Sequence, residues 1–521
     1  MMHNIYRNII LTIVFMSFVV SAAPVKKKAR FIEASQYTSS ANQQLAQALK
    51  MAQSGQYQAA ANALFNLSRK PELINEKPQI KYILGLMLME LKLNQVAAFQ
   101  FVDVIRLNNP KYTKQAVEKL SIVADTLGDD TILNYAVTKV DIGDIPGGQR
   151  DMIYYRLGEV KLKSLEFAKA ADLFARISPG STYYLQALFN KGLAELEANQ
   201  PTLAIATFQK IIDSRSKASV TDTNKVAAQM AIARSYYQKQ DFEAAIQAYT
   251  KVPRDTTYWH DAIFEQSWAM LRSARFRSAL SQFQTIHSQY YEDFYVPESL
   301  LLRAIVYLYI CKYDEMEKVL NLYEKSYGPV RNKVNDFLKA NKDPLNYFSE
   351  IEKAAIQKRN PDKTISVKVP YLVLREVLGE GDVKRSLAYL KKLSEEKLRI
   401  DENPSFKNSG LGQYALRVVN NRVKNSKAAT GEMVKAHLQN IRVDLSDLNE
   451  QASFIKYEMI NGQKEGVKKR IAGKGLAGTQ IDDKVDRQFY IENGYQYYPF
   501  QGEFWLDELG NYHYLGQQSC E

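Results

Sequence analysis

The sequence repeats a pattern of small and aromatic residues at steps of 34 to 41 residues. Each copy has a small residue, an Ala twelve residues later, and a large apolar residue four places further on. The copies are Ala48/Ala60/Leu64, Gly85/Ala97/Phe101, Gly158/Ala170/Phe174, Gly192/Ala204/Phe208, Ala233/Ala245/Tyr249 and Ser267/Ala279/Phe283, with a degenerate copy around Leu133. A period of this length is typical of antiparallel helix pairs stacked into a solenoid.

The spacing also predicts how the helices pack. Two helices approach closely only where their side chains are small, so we expect Gly158 to face Ala170 within its pair. The later aromatic residue should then fill the gap to the next pair. One pair leaves an apolar face bare, and stacking buries it. The sequence therefore predicts an all-α protein with a solenoid of about eight helix pairs over residues 41–330.

The fullest copy resembles the tetratricopeptide repeat in its Tyr236, Asp241-Phe242, Ala245-Ile246 and Val252-Pro253. In proteins similar to this repeat, the first helix of each pair lines a concave surface that binds protein partners. The resemblance implies the groove residues Tyr155, Phe189, Arg234, Tyr237 and Trp268, with Arg272 and Tyr309 one place beyond such positions. Trp, Tyr and Arg dominate binding hot spots. Packing between neighbouring first helices is the alternative role for each aromatic residue.

The first 22 residues have the features of a secretory signal. Arg7 precedes a mostly apolar run over residues 9–20, and small residues precede a cleavage point before Ala23. The run is shorter than the roughly 20 residues that span a bilayer, so we expect cleavage and export, with an uncleaved anchor as the alternative. A basic linker follows over residues 23–40. No later run is apolar enough to cross a membrane, so the mature chain is expected to have no transmembrane span.

The chain is basic, with a formal net charge of +12. Nucleic acid is the usual partner of such a charge, but the expected export argues against it. Anionic envelope polymers, such as peptidoglycan, and lipid head groups fit an exported chain better. A solvated basic face without a specific ligand remains the alternative.

The repeat spacing is absent from the second half of the chain. Residues 331–369 contain helix breaks at residues 341–344, 360–362 and 369–370, and form the predicted connector. Residues 370–475 are predicted to be helical, with a coiled-coil seam that alternates gaps of three and four residues. The seam residues are Val434, Leu438, Ile441, Leu445, Leu448, Ala452, Ile455 and Met459. We expect an intramolecular hairpin that reverses at Thr430-Gly431, with a dimer as the alternative.

Two further segments complete the chain. Residues 473–478 match the dinucleotide-binding glycine pattern but follow a helix instead of a strand, so they predict a flexible loop over residues 476–488 and no cofactor. Residues 489–521 are dense in aromatic side chains, which favour docking on the chain's own helices or on a partner. The expected docking residues are Phe500, Phe504, Trp505 and Tyr512. The stretch Tyr512-His513-Tyr514 alternates as in a strand, and Cys311 and Cys520 form a candidate disulfide.

The tail motif also carries a resemblance. Pro499-Phe500, Gly502-Glu503-Phe504-Trp505 and Asp507-Glu508-Leu509-Gly510 are similar to the terminal motif of exported repeat proteins from predatory and gliding delta-type bacteria. That group includes proteins of the myxobacterial adventurous-gliding machinery. The resemblance implies a scaffold in the periplasm of a Gram-negative bacterium, associated with the membrane through its partners.

No pattern in the sequence indicates catalysis. The five His residues lie far apart, and no nucleophile motif, phosphate loop or metal-ligand spacing is present. We therefore expect no enzyme, no metal and no cofactor. The sequence favours an exported scaffold that binds envelope proteins, with a binder of anionic cell-wall glycan as the alternative.

Overall fold

The computed structural model describes residues 40–128, 147–214, 222–291, 294–360, 365–471 and 504–514. Within these ranges the chain is helical and contains no strand. It divides into two compact units, one of residues 1–194 with 380–433 and the other of residues 195–379 with 434–521. None of the helices in the described ranges is long and apolar enough to cross a membrane. The signal segment, the predicted loop at 476–488, Phe500 and Cys520 lie outside the described residues.

The first unit begins with antiparallel helix pairs. The helices are α1 (Ser40–Gln53), α2 (Tyr57–Leu67), α3 (Lys77–Glu90), α4 (Asn94–Arg106), α5 (Pro110–Leu127), α6 (Gly147–Lys163), α7 (Phe167–Ala175) and α8 (Tyr184–Glu197), which ends in the second unit. It also contains α18 (Gly381–Asp401), α19 (Pro404–Lys407) and the start of α20 (Gly410–Ile471).

The second unit continues the series of pairs. Its helices are α9 (Pro201–Ile212), α10 (Asp222–Gln238), α11 (Phe242–Thr250), α12 (Trp259–Arg272), α13 (Phe276–Ile286), α14 (Pro297–Tyr309), α15 (Tyr313–Ala340), α16 (Pro344–Arg359) and α17 (Tyr371–Gly379), with the rest of α20. The helix breaks predicted near residues 341–344, 360–362 and 369–370 fall between these helices. Helix α15 runs through residue 330, the predicted end of the repeat region.

The turn inside each pair is tight. One residue adopts the left-handed backbone region in these turns, with φ between 57° and 64° at Lys92, Leu165, Asn199, Gln240, Ala274 and Cys311. The corresponding turn after α1 uses Gly55 at φ 81°. This backbone region is sterically unfavourable for residues other than Gly, so helix packing must compensate for its free-energy cost. The recurrence of the same turn confirms that the pairs are copies of one unit.

The repeated Ala residues are fully buried, as a helix-pair solenoid requires. Ala60, Ala97, Ala170, Ala204, Ala245 and Ala279 are each 0% exposed. In two copies of the pattern, the small residue lies against the later aromatic residue. A Cβ added to Gly158 would first meet the Phe174 ring, at 2.6 Å, and Gly85 has the same relation to Phe101. The glycine thus makes room for the aromatic residue of its own pair, which needs more space than Ala170.

In the first unit, α18 and α20 pack back on the repeats. The Tyr389 hydroxyl donates to the Gln95 side chain at 2.6 Å, and the Glu396 carboxyl group accepts from the Gln95 backbone N–H at 2.8 Å. Further along, the Tyr414 ring lies 5.3 Å from the Phe65 ring. These contacts cover the second helices of the first two pairs.

The predicted hairpin at Thr430-Gly431 was wrong, because α20 is one uninterrupted helix from Gly410 to Ile471. Its first part buries Ala415 and Val419 against the first unit. In the second unit, the seam residues Val434 to Met459 are buried, apart from the half-buried Ala452. A Cβ on Gly462 would meet the Tyr313 ring of α15. Each part of the helix therefore finds its apolar partners without a reversal of the chain.

The described part of the tail docks on the second unit. The Gly510 N–H donates to the Thr285 hydroxyl at 2.8 Å, and the Tyr514 N–H donates to Ser281 at 2.9 Å. Arg254 donates to the backbone carbonyls of Leu506 and Asp507. Residues 512–514, which alternate as in a strand, are irregular, and the Tyr514 N–H bonds to a side chain of α13.

The anchors of the tail differ from those expected. Leu509 is 2% exposed and Gly510 sits against the Trp259 ring, whereas Trp505 is 57% exposed. Phe504 and Tyr512 are half-buried and pack edge to face on each other. Trp505 as an anchor was therefore wrong, because the tail buries Leu509 and leaves the Trp505 indole exposed.

Candidate functional site

The expected groove residues of the first unit are part of its core. Tyr155 is 8% exposed, packs on the Phe174 and Tyr183 rings, and accepts a hydrogen bond from Asn190 at 3.2 Å. Burial raises the pKa of the Tyr155 phenol well above its ordinary value. Phe189 is 7% exposed. Packing between neighbouring helices accounts for both side chains, so neither offers a surface to a partner.

Arg234 is held in a buried ion pair in the second unit. Its guanidinium donates two hydrogen bonds to Glu265, at 2.7 and 2.5 Å, and the Tyr249 hydroxyl donates to the same carboxylate at 2.9 Å. Burial alone would lower the pKa of Arg234, but the Glu265 carboxylate outweighs it and the net pKa is raised. Two-point recognition of this kind fixes the geometry between α10 and α12. Arg234 is thus a structural residue of the repeat.

Trp268 is half-buried beside Glu298 of α14. Burial raises the pKa of the Glu298 carboxyl to about 7, with the Trp268 indole acting in the opposite direction and the Asp444 carboxylate of α20 adding to the rise. The neighbourhood of Trp268 therefore includes α20, which the sequence pattern alone did not place there.

The remaining three expected residues take part in two separate aromatic contacts of the second unit. Tyr237 packs edge to face on Phe242, with ring centroids 5.4 Å apart, and the Arg272 guanidinium lies 5.3 Å from the centre of the same Phe242 ring. One pair further along, Tyr309 stacks on Phe276 at 4.8 Å with the planes 15° apart. We call these five residues the edge ladder.

The repeat itself builds the edge ladder. Phe242 and Phe276 are the first residues of the second helices α11 and α13, and Arg272 and Tyr309 are the last residues of the next first helices, α12 and α14. The tight turns at Ala274 and Cys311 hold these helix ends at equivalent places in successive pairs. The aromatic residue that begins the second helix of one pair is therefore covered by the residue that ends the first helix of the next pair.

The edge ladder is accessible. Tyr309 is 54% exposed and Arg272 is also exposed, while Tyr237 and Phe242 are half-buried and Phe276 forms the buried base. Stacked rings hold their side chains in fixed positions at little further entropic cost. A guanidinium that lies on a ring keeps its donors in the plane, where carboxylates and carbonyl groups accept them. The arrangement suits a protein-interaction surface.

A comparison with protein families finds the same repeat in part of the chain. Residues 155–219 match the tetratricopeptide repeat family. No curated protein matches the sequence. The fold is similar to the crystal structure of a Rap protein complexed with competence and sporulation factor, at 12% identity and a TM-score of 0.29 over 75% of this chain and 99% of that one. It is also similar to the P58(IPK) tetratricopeptide-repeat domain, at 12% identity and a TM-score of 0.19 over 74% and 99% of the two chains.

The matched segment contains Gly158, Ala170, Phe174, Gly192 and Ala204, which carry two copies of the pattern. The same helix pairs and turns recur on both sides of it in the described residues. Repeats of this family present surfaces to other proteins and are typically not catalytic. The described residues therefore form an all-α solenoid of tetratricopeptide-like helix pairs, and part of it matches the tetratricopeptide repeat family.

Proposed function

We propose that this chain is an exported, non-enzymatic scaffold that binds protein partners in a cell-envelope complex. The edge ladder supports the proposal. It places Arg272 and Tyr309 at equivalent positions of successive helix pairs, each stacked on an aromatic ring and each exposed. Periodic, pre-ordered Arg and Tyr side chains are the kind of residues that dominate the binding energy of protein interfaces.

The spacing of the edge ladder favours an extended partner segment. Neighbouring helices in a solenoid pack about 8–10 Å apart. The distance between residues of the edge ladder in successive pairs is therefore comparable to the length of several residues of an extended peptide. Tyr309 supplies an apolar face with a hydroxyl, and Arg272 supplies a charge. The partner segment should therefore carry an apolar side chain and a carboxylate or exposed carbonyl groups.

A crosslinking experiment tests this surface. A photoreactive amino acid at position 309 should crosslink a partner in cells, and Arg272→Ala should reduce that crosslink at least fivefold. Leu322 on α15, which is 43% exposed, provides the control position for the crosslinker. Lys251→Ala provides an exposed charge control for Arg272→Ala. Equal crosslinking from positions 309 and 322 would argue against the edge ladder as the binding surface.

Export belongs to the same proposal and rests on the sequence of the first 22 residues. Fractionated cells should contain a shortened protein that begins near Ala23, in the envelope fraction. Full-length protein in the cytoplasm would contradict the proposal. The resemblance of the tail makes a motility complex the candidate assembly in which to look for the crosslinked partner.

The alternative, an anionic cell-wall glycan bound by the basic face, gives a different result in the same assays. Binding through exposed charges weakens steeply as salt rises, because the Debye length falls from about 10 Å at 0.1 M to about 3 Å at 1 M. Binding that depends on stacked rings should persist. Retention on isolated cell wall that disappears at high salt and is unaffected by Tyr309→Ala would favour the glycan.

A further inference from the structure

The last part of α20 has two apolar faces. One is the buried seam, which includes Leu448, Ile455 and Met459. On the opposite side, Phe454, Tyr457 and Ile460 are 65%, 59% and 52% exposed. Residues three apart share a helix face, so these three side chains form one exposed stripe, which we call the outer stripe. No described residue covers it, although large apolar side chains clustered in this way are uncommon on a protein surface.

Charged residues border the outer stripe in a symmetric way. Glu450 lies seven residues before Tyr457, and Lys464 lies seven residues after it. Seven residues are two helical turns, so both charges lie in line with Tyr457. Both are exposed. Phe454 and Ile460 lie three residues before and after the same Tyr. The outer stripe thus has an acidic end and a basic end, with an apolar centre at Tyr457.

We propose that the outer stripe pairs with the outer stripe of a second copy of the chain in an antiparallel arrangement. A two-fold axis at Tyr457 brings the two Tyr457 rings together and sets Phe454 of each copy against Ile460 of the other. The same axis places Glu450 of each copy opposite Lys464 of the other. A two-fold interface must be self-complementary, and this arrangement of charges meets that condition in one register only.

The area of the outer stripe sets the strength of the dimer. A fully buried aromatic side chain covers about 150–250 Å², whereas a stable interface buries about 800 Å² per partner. Three large side chains and their bordering charges reach only part of that area. The dimer is therefore reversible, with a dissociation constant on the order of micromolar.

The charge pattern distinguishes a second copy from a membrane surface. A helix that lies on an anionic membrane carries Lys and Arg along its polar border. Here Glu450 lies in line with the apolar centre, where it would face lipid head groups of the same sign. A second copy provides Lys464 at that point.

Sedimentation velocity on the full-length chain, over a range of concentration up to about 100 µM, tests the pairing at the affinity expected. The native chain should dimerise reversibly. Glu450→Lys and Lys464→Glu should each weaken dimerisation at least tenfold, because each sets like charges against each other. The double variant E450K/K464E should dimerise as the native chain does, because an antiparallel pair regains both opposite charges. Lys456→Glu, an exposed charge change of the same size beside the outer stripe, should have little effect.

Tyr457→Ala and Phe454→Ala should also favour the monomer, with circular dichroism unchanged because both side chains are exposed. A native chain that stays monomeric would overturn the proposal, as would a double variant that is not restored. A monomer that binds phosphatidylglycerol vesicles through Tyr457 would show that the outer stripe is a membrane contact instead.

Discussion

Gly158 of α6 lies against the Phe174 ring of α7, so closely that a Cβ at position 158 would be 2.6 Å from the Phe174 Cε1 atom. Phe174 is 2% exposed and its ring packs on Tyr155, with centroids 5.8 Å apart. The ring therefore has little room to move. This contact explains why a glycine sits in the middle of a helix, where it costs about 1 kcal/mol relative to Ala.

Gly158→Ala should destabilise the protein in spite of the better helix propensity of Ala. Overpacking in a well-packed core costs about 1–3 kcal/mol, which exceeds the propensity gain. Chemical denaturation measures the difference. Gly180→Ala, at a position where an added Cβ meets nothing within 4 Å, is the matched control and should be close to neutral. The double variant G158A/F174L should lose less stability than the sum of its single changes, because the two residues are in contact.

Removal of Glu265 should destabilise the second unit strongly. Glu265→Ala leaves the Arg234 guanidinium buried without its carboxylate, and a broken buried pair costs about 3–5 kcal/mol. Tyr249→Phe, which removes only the third hydrogen bond, should cost about 1 kcal/mol. Glu243→Ala breaks the exposed pair with Arg275 and should change stability by less than about 1 kcal/mol. Equal losses for Glu265→Ala and Glu243→Ala would contradict a structural role for the buried pair.

The sequence pattern predicted the helix pairs because their spacing depends on local steric demands. A small residue, an Ala and a large apolar residue recur at the same spacing in each copy of the pattern. The six Ala residues of the pattern are buried. The role of Arg234 was not predictable in this way. Its partner Glu265 lies 31 residues away on another helix, and a charged pair leaves no periodic signal in one sequence.

The course of α20 was mispredicted for a related reason. Gly431 suggested a turn, but the helix continues because both of its parts bury apolar residues against helices far away in the sequence. Thr430 is 0% exposed and its hydroxyl bonds to Ser386 at 2.6 Å. Long-range contacts of this kind override a local preference of about 1 kcal/mol. The buried face of the seam was predictable because it depends on helix periodicity alone.

Glu396 should make stability depend on pH. Burial raises the pKa of its carboxyl to about 8 in the folded chain, although the Gln95 backbone N–H acts in the opposite direction. The unfolded chain releases this proton at a pKa near 4.3. The folded state therefore keeps the proton to a higher pH than the unfolded state does. The free energy of unfolding is greatest below the pKa of the unfolded chain and falls as pH rises towards 8, by at most about 1.4 kcal/mol per pH unit.

Glu396→Gln should flatten this dependence, because the amide oxygen still accepts the Gln95 hydrogen bond and no longer ionises. Denaturation of both proteins between pH 5 and pH 8 measures the difference in slope. The comparison with the native chain is essential, since Glu298 with its pKa of about 7 adds a slope of the same sign in both proteins. Parallel curves for the native chain and Glu396→Gln would show that Glu396 does not hold its proton in the fold.

Gly510→Val should release the tail from the second unit. The backbone at Gly510 has φ 82°, which β-branched residues avoid, and an added Cβ would lie 2.8 Å from the Trp259 ring. Hydrogen exchange of residues 504–514 should accelerate, while the helices keep their protection. Trp505→Ala is the control, because an indole that is 57% exposed contributes little to docking. If Trp505→Ala releases the tail and Gly510→Val does not, the indole is the anchor after all.

Cys311 and Cys520 should form a disulfide bond in the exported protein, a prediction that extends beyond the described residues. Cys311 lies in the turn between α14 and α15, four residues from each of Tyr307 and Glu315. Both of those residues raise the pKa of the Tyr514 phenol after burial, which places Tyr514 in the same neighbourhood. Cys520 is the sixth residue after Tyr514, and an extended chain of that length reaches about 20 Å. Mass mapping without reductant should recover the two cysteines in one linked peptide pair.

Cys520→Ser should then lower the melting temperature and accelerate hydrogen exchange in residues 504–514, because the tail loses its covalent attachment. Two free thiols in protein isolated from the envelope would rule out the bridge and leave the tail held by Leu509 and its hydrogen bonds to α13.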